Sequence, residues 1–213
     1  MEWTGIILAG GHSSRMGTNK AVLPLGGLSV IERIVGELQK AAGHIVISSG
    51  QSSAYAGLGL PLLPDIYPGC GPLAGIHAGL AASPHRWSLV VSCDMPFVNA
   101  PLFRFLAEQV RQHEEQGSEP CGEILDALVP RIGGRPQPLL AMYNRSVLCG
   151  LERTLGEGRL KANQWVSGLK ARYIGEQVLS EASGLSAELA AFNMNRPEDY
   201  QAAQRLYEQQ NLQ

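Results

Sequence analysis

The chain has 213 residues, of which 45% are hydrophobic and 17% charged, with a formal net charge of −2. That length suits one large domain, able to bury roughly 70% of its unfolded surface without disulfide staples. The composition argues against disorder, and a pI of about 6.2 argues against a general nucleic-acid binder.

Taken in chain order, the apolar run Gly5–Ala9 ends in Gly10-Gly11 and predicts a buried strand. A polar glycine loop follows, from Gly11 to Lys20. Ser29-Val-Ile-Glu32 has the form of a capping box and opens a helix with Ile31, Ile34, Val35 and Leu38 on one face, stopping near Gly43. Ile45–Ile47 is a second strand, closing on Ser48-Ser49-Gly50, and Leu60–Leu63 a third, ending before Asp65. Pro72 starts a helix to about Leu80. Leu89–Val91 is a fourth strand, ending in Ser92-Cys93-Asp94, and Asn99–Pro101 opens a helix to about Gln116.

Beyond a polar loop at Gln116–Gly122, Ala127–Val129 and Leu139–Met142 read as strands around a Gly/Pro-rich turn, Ile132–Pro138. Helices at about Ser146–Leu155 and Lys161–Val166, a strand near Ala171–Ile174 and a helix from Pro197 to about Gln209 complete the chain. The expected fold class is α/β: a Rossmann-like, open, mainly parallel twisted sheet with helices on both faces. An antiparallel element is expected in the C-terminal half.

No apolar run approaches the roughly 20 residues of a membrane span, and the opening residues lack a signal-peptide pattern. The expectation is a cytoplasmic protein with no membrane partner. Cys70, Cys93, Cys121 and Cys149 are far apart, which disfavours a structural zinc site or a redox pair.

The charges are unevenly placed. From Trp3 to Ile31 there is no acidic residue, while Arg15 and Lys20 sit in the glycine loop. Backbone N–H groups, an Arg and a Lys without a carboxylate suit phosphates. Between Glu37 and Glu108 the carboxylates are Asp65 and Asp94, each following an apolar strand. Alone, each reads as a helix cap or an Asx turn. In open α/β sheets, however, ligands sit beyond the carboxyl ends of the strands. Gly10, Ser48-Ser49, Asp65 and Asp94 would converge there. Asp94 is the metal candidate, since a lone carboxylate with phosphates is typical of Mg²⁺. A second acid-free stretch, Ala127–Leu151, holds Arg131, Arg135 and Arg145; it reads equally as a solvated face or as an anion-docking side.

Other motifs carry less. Gly69-Cys-Gly71-Pro-Leu-Ala74 matches a relaxed dinucleotide fingerprint but follows the third strand, and no ribose-binding acid stands at the expected spacing. The five histidines form no ligand-spaced pair, and His12 reads as a solvated loop residue. Cys93 reads as a buried strand residue and not as a nucleophile.

The segment Leu8-Ala9-Gly10-Gly11-His-Ser-Ser14-Arg15-Met16-Gly17-Thr-Asn-Lys20 resembles the L-A-G-G-x-S-x-R-M-G-x-x-K signature of molybdenum cofactor guanylyltransferases. Pro64-Asp65 with Gly71-Pro-Leu-Ala-Gly75, Cys93-Asp94-Met95-Pro96, and Phe192-Asn193-Met194-Asn195-Arg196-Pro197-Glu198 resemble further family segments, the last with Arg196 where Thr is usual. The resemblance implies a fold of the nucleotide-diphospho-sugar transferase type. It implies one domain over 1–213, with a nucleotide-binding half to about 115 and an acceptor half from about 116.

The implied reaction moves GMP from GTP onto the terminal phosphate of molybdopterin-bound molybdenum, with Mg²⁺, releasing pyrophosphate. Leu8, Ala9, Gly10 and Gly11 would hold the nucleoside through backbone groups, helped by Ser48 and Asp65. Arg15 and Lys20 would grip the triphosphate and Asp94 the metal. Arg135, Gln137, Arg159, Asn193 and Asn195 would line the acceptor side. Transient contact with cofactor-synthesis proteins and molybdoenzymes is implied as well. Ser48-Ser49 stand where the family often has an Asn near the guanine. A cytidylyltransferase acting on molybdopterin or on a sugar or polyol phosphate is therefore the alternative, and Gly10 favours the guanylyl branch over the usual L-A-A-G form. A non-catalytic cofactor carrier is a third reading, against which the set Arg15, Lys20 and Asp94 argues.

Overall fold

The structure, a computed structural model, describes residues 1–10, 19–50, 52–116 and 124–211. Its strands are β1 (Trp3–Leu8), β2 (Pro24–Leu25), β3 (Leu28–Ser29), β4 (His44–Ser48), β5 (Leu62–Leu63), β6 (Trp87–Ser92), β7 (Ala127–Ile132), β8 (Arg135–Pro136), β9 (Leu140–Asn144) and β10 (Ala171–Ile174). Its helices are α1 (Val30–Gln39), α2 (Pro72–Ala82), α3 (Ala100–Gln116), α4 (Leu148–Gly156), α5 (Ala162–Ser167), α6 (Glu176–Ser183), α7 (Ala187–Ala190) and α8 (Pro197–Asn211).

The main sheet runs β10-β7-β9-β6-β1-β4-β5, with β8 paired to β7. β9 is antiparallel to both its neighbours, and the other pairings along that order are parallel. The expected mainly parallel sheet with an antiparallel element in the C-terminal half is therefore observed. Among the described residues, no helix is long and apolar enough to cross a membrane.

Successive side chains of a strand point to opposite faces, and the sheet is buried on both. Ile7, Ile45, Ile47, Leu89, Val91 and Met142 pack on one face with Ile34 and Leu38 of α1 and Phe103 and Leu106 of α3. Ile6, Val46, Val90, Ala141 and Tyr143 pack on the other with Leu73 and Ile76 of α2, Leu151 of α4 and Trp165 of α5. This explains why the central strands read as continuous apolar runs.

Local chemistry sets the helix starts. The capping box of α1 is formed: Ser29 accepts from the Glu32 N–H, and Glu32 accepts from the Ser29 N–H. α2 begins with Pro72 after Gly71, whose φ is 64°. Asn99 Oδ1 accepts from the Leu102 N–H at the start of α3. In α2, Gly75 and Gly79 let the helix backbone lie close on β1. A Cβ on Gly79 would stand 2.4 Å from Ile6 Cγ2, and one on Gly75 2.8 Å from Ser48 Oγ.

Some expectations need adjustment. The third strand is Leu62–Leu63, shorter than Leu60–Leu63. Pro61 has no N–H to give a ladder, although its carbonyl accepts from Ile47. A β2–β3 hairpin, unexpected from the sequence reading, turns on Gly26 and Gly27, with φ of 62° and 86°. Positive φ at both central residues is what a tight hairpin turn of this hand requires. The short β8 and the helices α6 and α7 were likewise unexpected, α7 being capped by Ser186 and α6 closed by Gly184 in the left-handed region.

Candidate active site

β4 and β6 flank β1 on opposite sides, so the strand order reverses between β1 and β6. A reversal of this kind opens a crevice at the carboxyl ends of the strands, where α/β proteins bind ligands. Ala9 and Gly10 leave β1 there, Ser48 and Ser49 end β4, Asp65 follows β5 and Asp94 follows β6. Backbone bonds tie these ends together: Cys93 N–H donates to Leu8 O (3.0 Å), Ala9 N–H to Ser48 O (2.8 Å) and Ser49 N–H to Leu63 O (3.1 Å).

Lys20 opens a short 3₁₀ turn, Lys20–Val22, capped by the Asn19 side chain. Its ammonium donates to Asp94 Oδ2 at 2.5 Å and to Asn195 Oδ1 at 3.3 Å. Asn195 arrives there because the Met194 N–H donates to the Asp94 carbonyl (2.9 Å). The Asp199 carboxylate at the start of α8 accepts from the N–H groups of Asn195 and Arg196. Asp94 Oδ1 is buried and has no hydrogen-bond partner among the described residues. A buried carboxylate oxygen left open beside a cation is costly unless a further positive group shares it. It fits a hard divalent cation that takes one protein oxygen and draws its other ligands from water and phosphate. Among the described residues, no cluster of three or more His, Cys, Asp or Glu offers an alternative metal site.

The neighbouring strand ends build a second subsite. Ser48 is 1% exposed. Its hydroxyl donates to Asp65 Oδ1 at 3.3 Å, so it supports the carboxylate from below. Burial pushes the Asp65 carboxyl above its usual range, with the Ser48 bond opposing. Gly10 and Gly50 form a backbone floor, since a Cβ on Gly10 would stand 3.2 Å from Gly50 N and one on Gly50 3.6 Å from Asp65 Oδ2. Leu8 and Ala9 are buried, and Leu8 O, Ala9 N–H and Ala9 O are already used within the protein. Each carbonyl keeps one lone pair for a ligand.

The residues expected on the acceptor side approach this end of the sheet by topology. β9 runs against β6, so the β7–β9 connection with Arg135 and Gln137 lies at the carboxyl end of β6. The Ser92 N–H donates to Leu139 O there (2.9 Å). α4 starts near the opposite end, where the Arg145 N–H donates to Arg86 O, and climbs back to deliver Arg159 after Gly158. Gln137 Nε2 donates to Arg135 O (3.3 Å), and Arg159 pairs with Glu157. Asn193 turns its amide to Ala191 O (2.9 Å). Lys20, Asp94 and Asn195 are thus in direct contact, as are Ser48 and Asp65, while the contacts described for Arg135, Gln137, Arg159 and Asn193 are local. Gly11, His12 and Arg15 lie outside the described residues.

Cys93 is buried, and desolvation, reinforced by Asp94, pushes its thiol up to about 12, so it is no nucleophile. One residue of the site escaped the sequence reading. Tyr55, 2% exposed, donates to Ala9 O at 3.1 Å and meets the Asn19 side chain. A lone aromatic in the polar stretch after Ser49 is the signal that could have marked it.

An open, mainly parallel sheet with a lysine–aspartate pair and a glycine floor at its switch point defines a protein of the nucleotidyltransferase type. The chain belongs to the MobA-like NTP transferase domain family, whose model matches residues 5–173. It is 36% identical over 199 residues to a probable molybdenum cofactor guanylyltransferase of Pelotomaculum thermopropionicum, covering 93% of this chain and 90% of the relative. It is 31% identical to a molybdenum cofactor guanylyltransferase of Desulfosudis oleivorans, covering 94% of each. Among solved structures, molybdopterin-guanine dinucleotide biosynthesis protein A from Archaeoglobus fulgidus superimposes with a TM-score of 0.79 at 26% identity, covering 97% and 99% of the two chains. The fold is shared with 2-C-methyl-D-erythritol 4-phosphate cytidylyltransferase from Thermus thermophilus, with a TM-score of 0.65 at 20% identity and coverage of 98% and 100%.

Proposed function

We propose that this protein transfers GMP from GTP to the terminal phosphate of the molybdopterin-bound molybdenum cofactor, releasing pyrophosphate. The observation that carries the reading is the Lys20–Asp94 pair at the switch point, with Asp94 Oδ1 left open among the described residues. The names of the relatives supply the nucleotide and the acceptor.

A phosphate oxygen of the acceptor attacks the α-phosphorus of GTP. The bond from that phosphorus to the bridging oxygen breaks, and its electron pair leaves with pyrophosphate. The attacking phosphate is ionised near neutral pH, so no side-chain base is required. The protein's task is to bring two anions together and to neutralise charge on the leaving group. Lys20 and Arg15 would hold the triphosphate, and Asp65, steadied by Ser48, the nucleoside over Gly10. Asp94 would hold Mg²⁺, which when bound supplies charge neutralisation at the phosphates. Arg135, Gln137, Arg159, Asn193 and Asn195 would face the acceptor. The part to about residue 115 would serve the donor and the part from about 116 the acceptor. Transient docking with proteins that supply or receive the cofactor belongs to the same reading.

The test is thermal melting with Mg²⁺ and each nucleoside triphosphate in turn, followed by pyrophosphate release with molybdopterin-bound molybdenum as acceptor. A ligand at 100 times its dissociation constant adds about 2.7 kcal/mol to the folded state. Selective, Mg²⁺-enhanced stabilisation by GTP with pyrophosphate release is expected. Stabilisation by CTP alone would overturn the base assignment, and no pyrophosphate release with any nucleotide would overturn the reaction.

A further inference from the structure

Lys20 carries its ammonium on a flexible, strongly hydrated four-carbon stem. Such a group reaches one place reproducibly only if its backbone is held. Among the described residues, a holding contact on the residue before it comes from outside the loop. Tyr55 sits in the β4–β5 connection, its ring buried in the cluster that includes Ile7, Ala9 and Ile47. Its hydroxyl stands 3.1 Å from Ala9 O, 2.9 Å from Asn19 Nδ2 and 3.2 Å from Asn19 Oδ1.

One phenol has one proton, which cannot serve both oxygens. Asn19 Oδ1 already accepts from the Ala21 N–H at 3.1 Å, capping the Lys20 turn. The consistent assignment has Tyr55 donating to Ala9 O and accepting from Asn19 Nδ2. Every link in the chain Ala9–Tyr55–Asn19–Ala21 is then satisfied. The end of β1 and the first turn after the glycine loop are joined through a single buried oxygen.

We propose that Tyr55 is a positioning residue for nucleotidyl transfer, its hydroxyl setting Lys20 against Asp94 by tying Asn19 to the end of β1. The inference rests on the role given to Lys20 under the proposed function. Burial raises the Tyr55 phenol above its ordinary pKa, so it keeps its proton, and the donor role, throughout the neutral range. Tyr55 touches neither Lys20 nor Asp94 in the contacts described; its effect passes through Asn19.

The experiment is a double-mutant cycle on the full chain. Tyr55→Phe, Asn19→Ala, Lys20→Ala and Tyr55→Phe/Lys20→Ala are compared in single-turnover pyrophosphate release from Mg²⁺-GTP with the molybdopterin-bound molybdenum cofactor as acceptor, with melting temperature measured alongside. Tyr55→Phe keeps the ring and its packing; Asn19→Ala cuts the same link from a partly exposed side. Both are expected to slow turnover about tenfold, well inside the loss that a small misplacement of a reacting group causes. On the Lys20→Ala background, Tyr55→Phe is expected to change the rate less than twofold, because the residue it positions is gone. If both single variants lower the melting temperature while turnover stays within twofold of the wild type, Tyr55 is merely structural and the proposal fails. It fails equally if the tenfold loss persists undiminished without Lys20. Full activity of Lys20→Ala would instead overturn the phosphate-gripping role of Lys20 itself, and this inference with it.

Discussion

At neutral pH Asp65 is asked to hold a charge in a partly buried place, and its carboxyl is raised above the usual range chiefly by desolvation. The folded state therefore binds that proton more tightly than the unfolded chain does. The corresponding stability is fully present below the ordinary carboxylate pKa and is lost as pH rises through the raised value. Asp65→Asn, which keeps an oxygen for Ser48, should raise the melting temperature at pH 7. The gain should shrink as pH falls through the raised carboxyl pKa, because wild-type Asp65 then takes up its proton, and GTP should bind more weakly to the variant. Melting curves of both proteins from pH 7 downwards check this; an unchanged melting temperature at pH 7 would show that the desolvation is relieved in some other way. At this scale the sequence was informative where chemistry is local. Asp65, Asp94 and Lys20 were visible as charged residues beside apolar runs and glycines. That the Ser48 hydroxyl turns inward onto Asp65 was not, because it depends on the register of β4 against β5.

Among the elements, α2 shows how a packing constraint is written in glycine. Gly79 faces Ile6 so closely that a Cβ would come within 2.4 Å of its Cγ2. Gly36 in α1 has nothing among the described residues within 4 Å of its Cβ position. The same substitution should therefore have opposite signs. Gly36→Ala should gain about 0.5–1 kcal/mol from helix propensity and reduced unfolded-state entropy. Gly79→Ala gains a similar propensity term but meets an overpacking cost of about 1–3 kcal/mol, so it should be destabilising. Denaturant unfolding of the two variants checks the contrast, and equal gains would mean that α2 can shift freely away from β1. The sequence showed the start and the buried face of α1, since its capping box and apolar stripe are local patterns, but the helix ends at Gln39, short of the expected Gly43. The Gly26-Gly27 hairpin carried a readable turn signal that its two-residue strands were too short to support. α6 and α7 lack a long apolar stripe and owe their place to packing on neighbouring elements.

For the molecule as a whole, the decisive fact is that β9 lies between β6 and β7. Residues before about 115 supply β6, but β9 covers its flank with register pairs from Trp87–Asn144 to Val91–Leu140. The same C-terminal part returns Met194 to Asp94, and Tyr200 of α8 donates to Pro24 O in the hairpin after Lys20 (2.6 Å). A fragment of residues 1–115 would expose a long apolar edge strand, which is an aggregation template. It should fail to melt cooperatively on its own, and adding residues 116–213 as a separate chain should restore protection of the β6 amides. Hydrogen exchange on the fragment, alone and mixed, checks this; cooperative folding of the fragment alone would make residues 1–115 an independent unit.

Features that depend on near neighbours are legible without the fold: the strand–helix alternation, the helix starts at Ser29, Pro72 and Asn99, and the polar residues waiting at the strand ends. Period and capping are properties of a few adjacent residues, so they survive without knowledge of the fold. Which of those residues meet is set by the folded arrangement. Lys20 reaches Asn195 across 175 positions of sequence, and Tyr55 reaches Ala9 across 46. Such contacts follow from the strand order and from the packing of α8 and the β4–β5 connection, which no local pattern encodes.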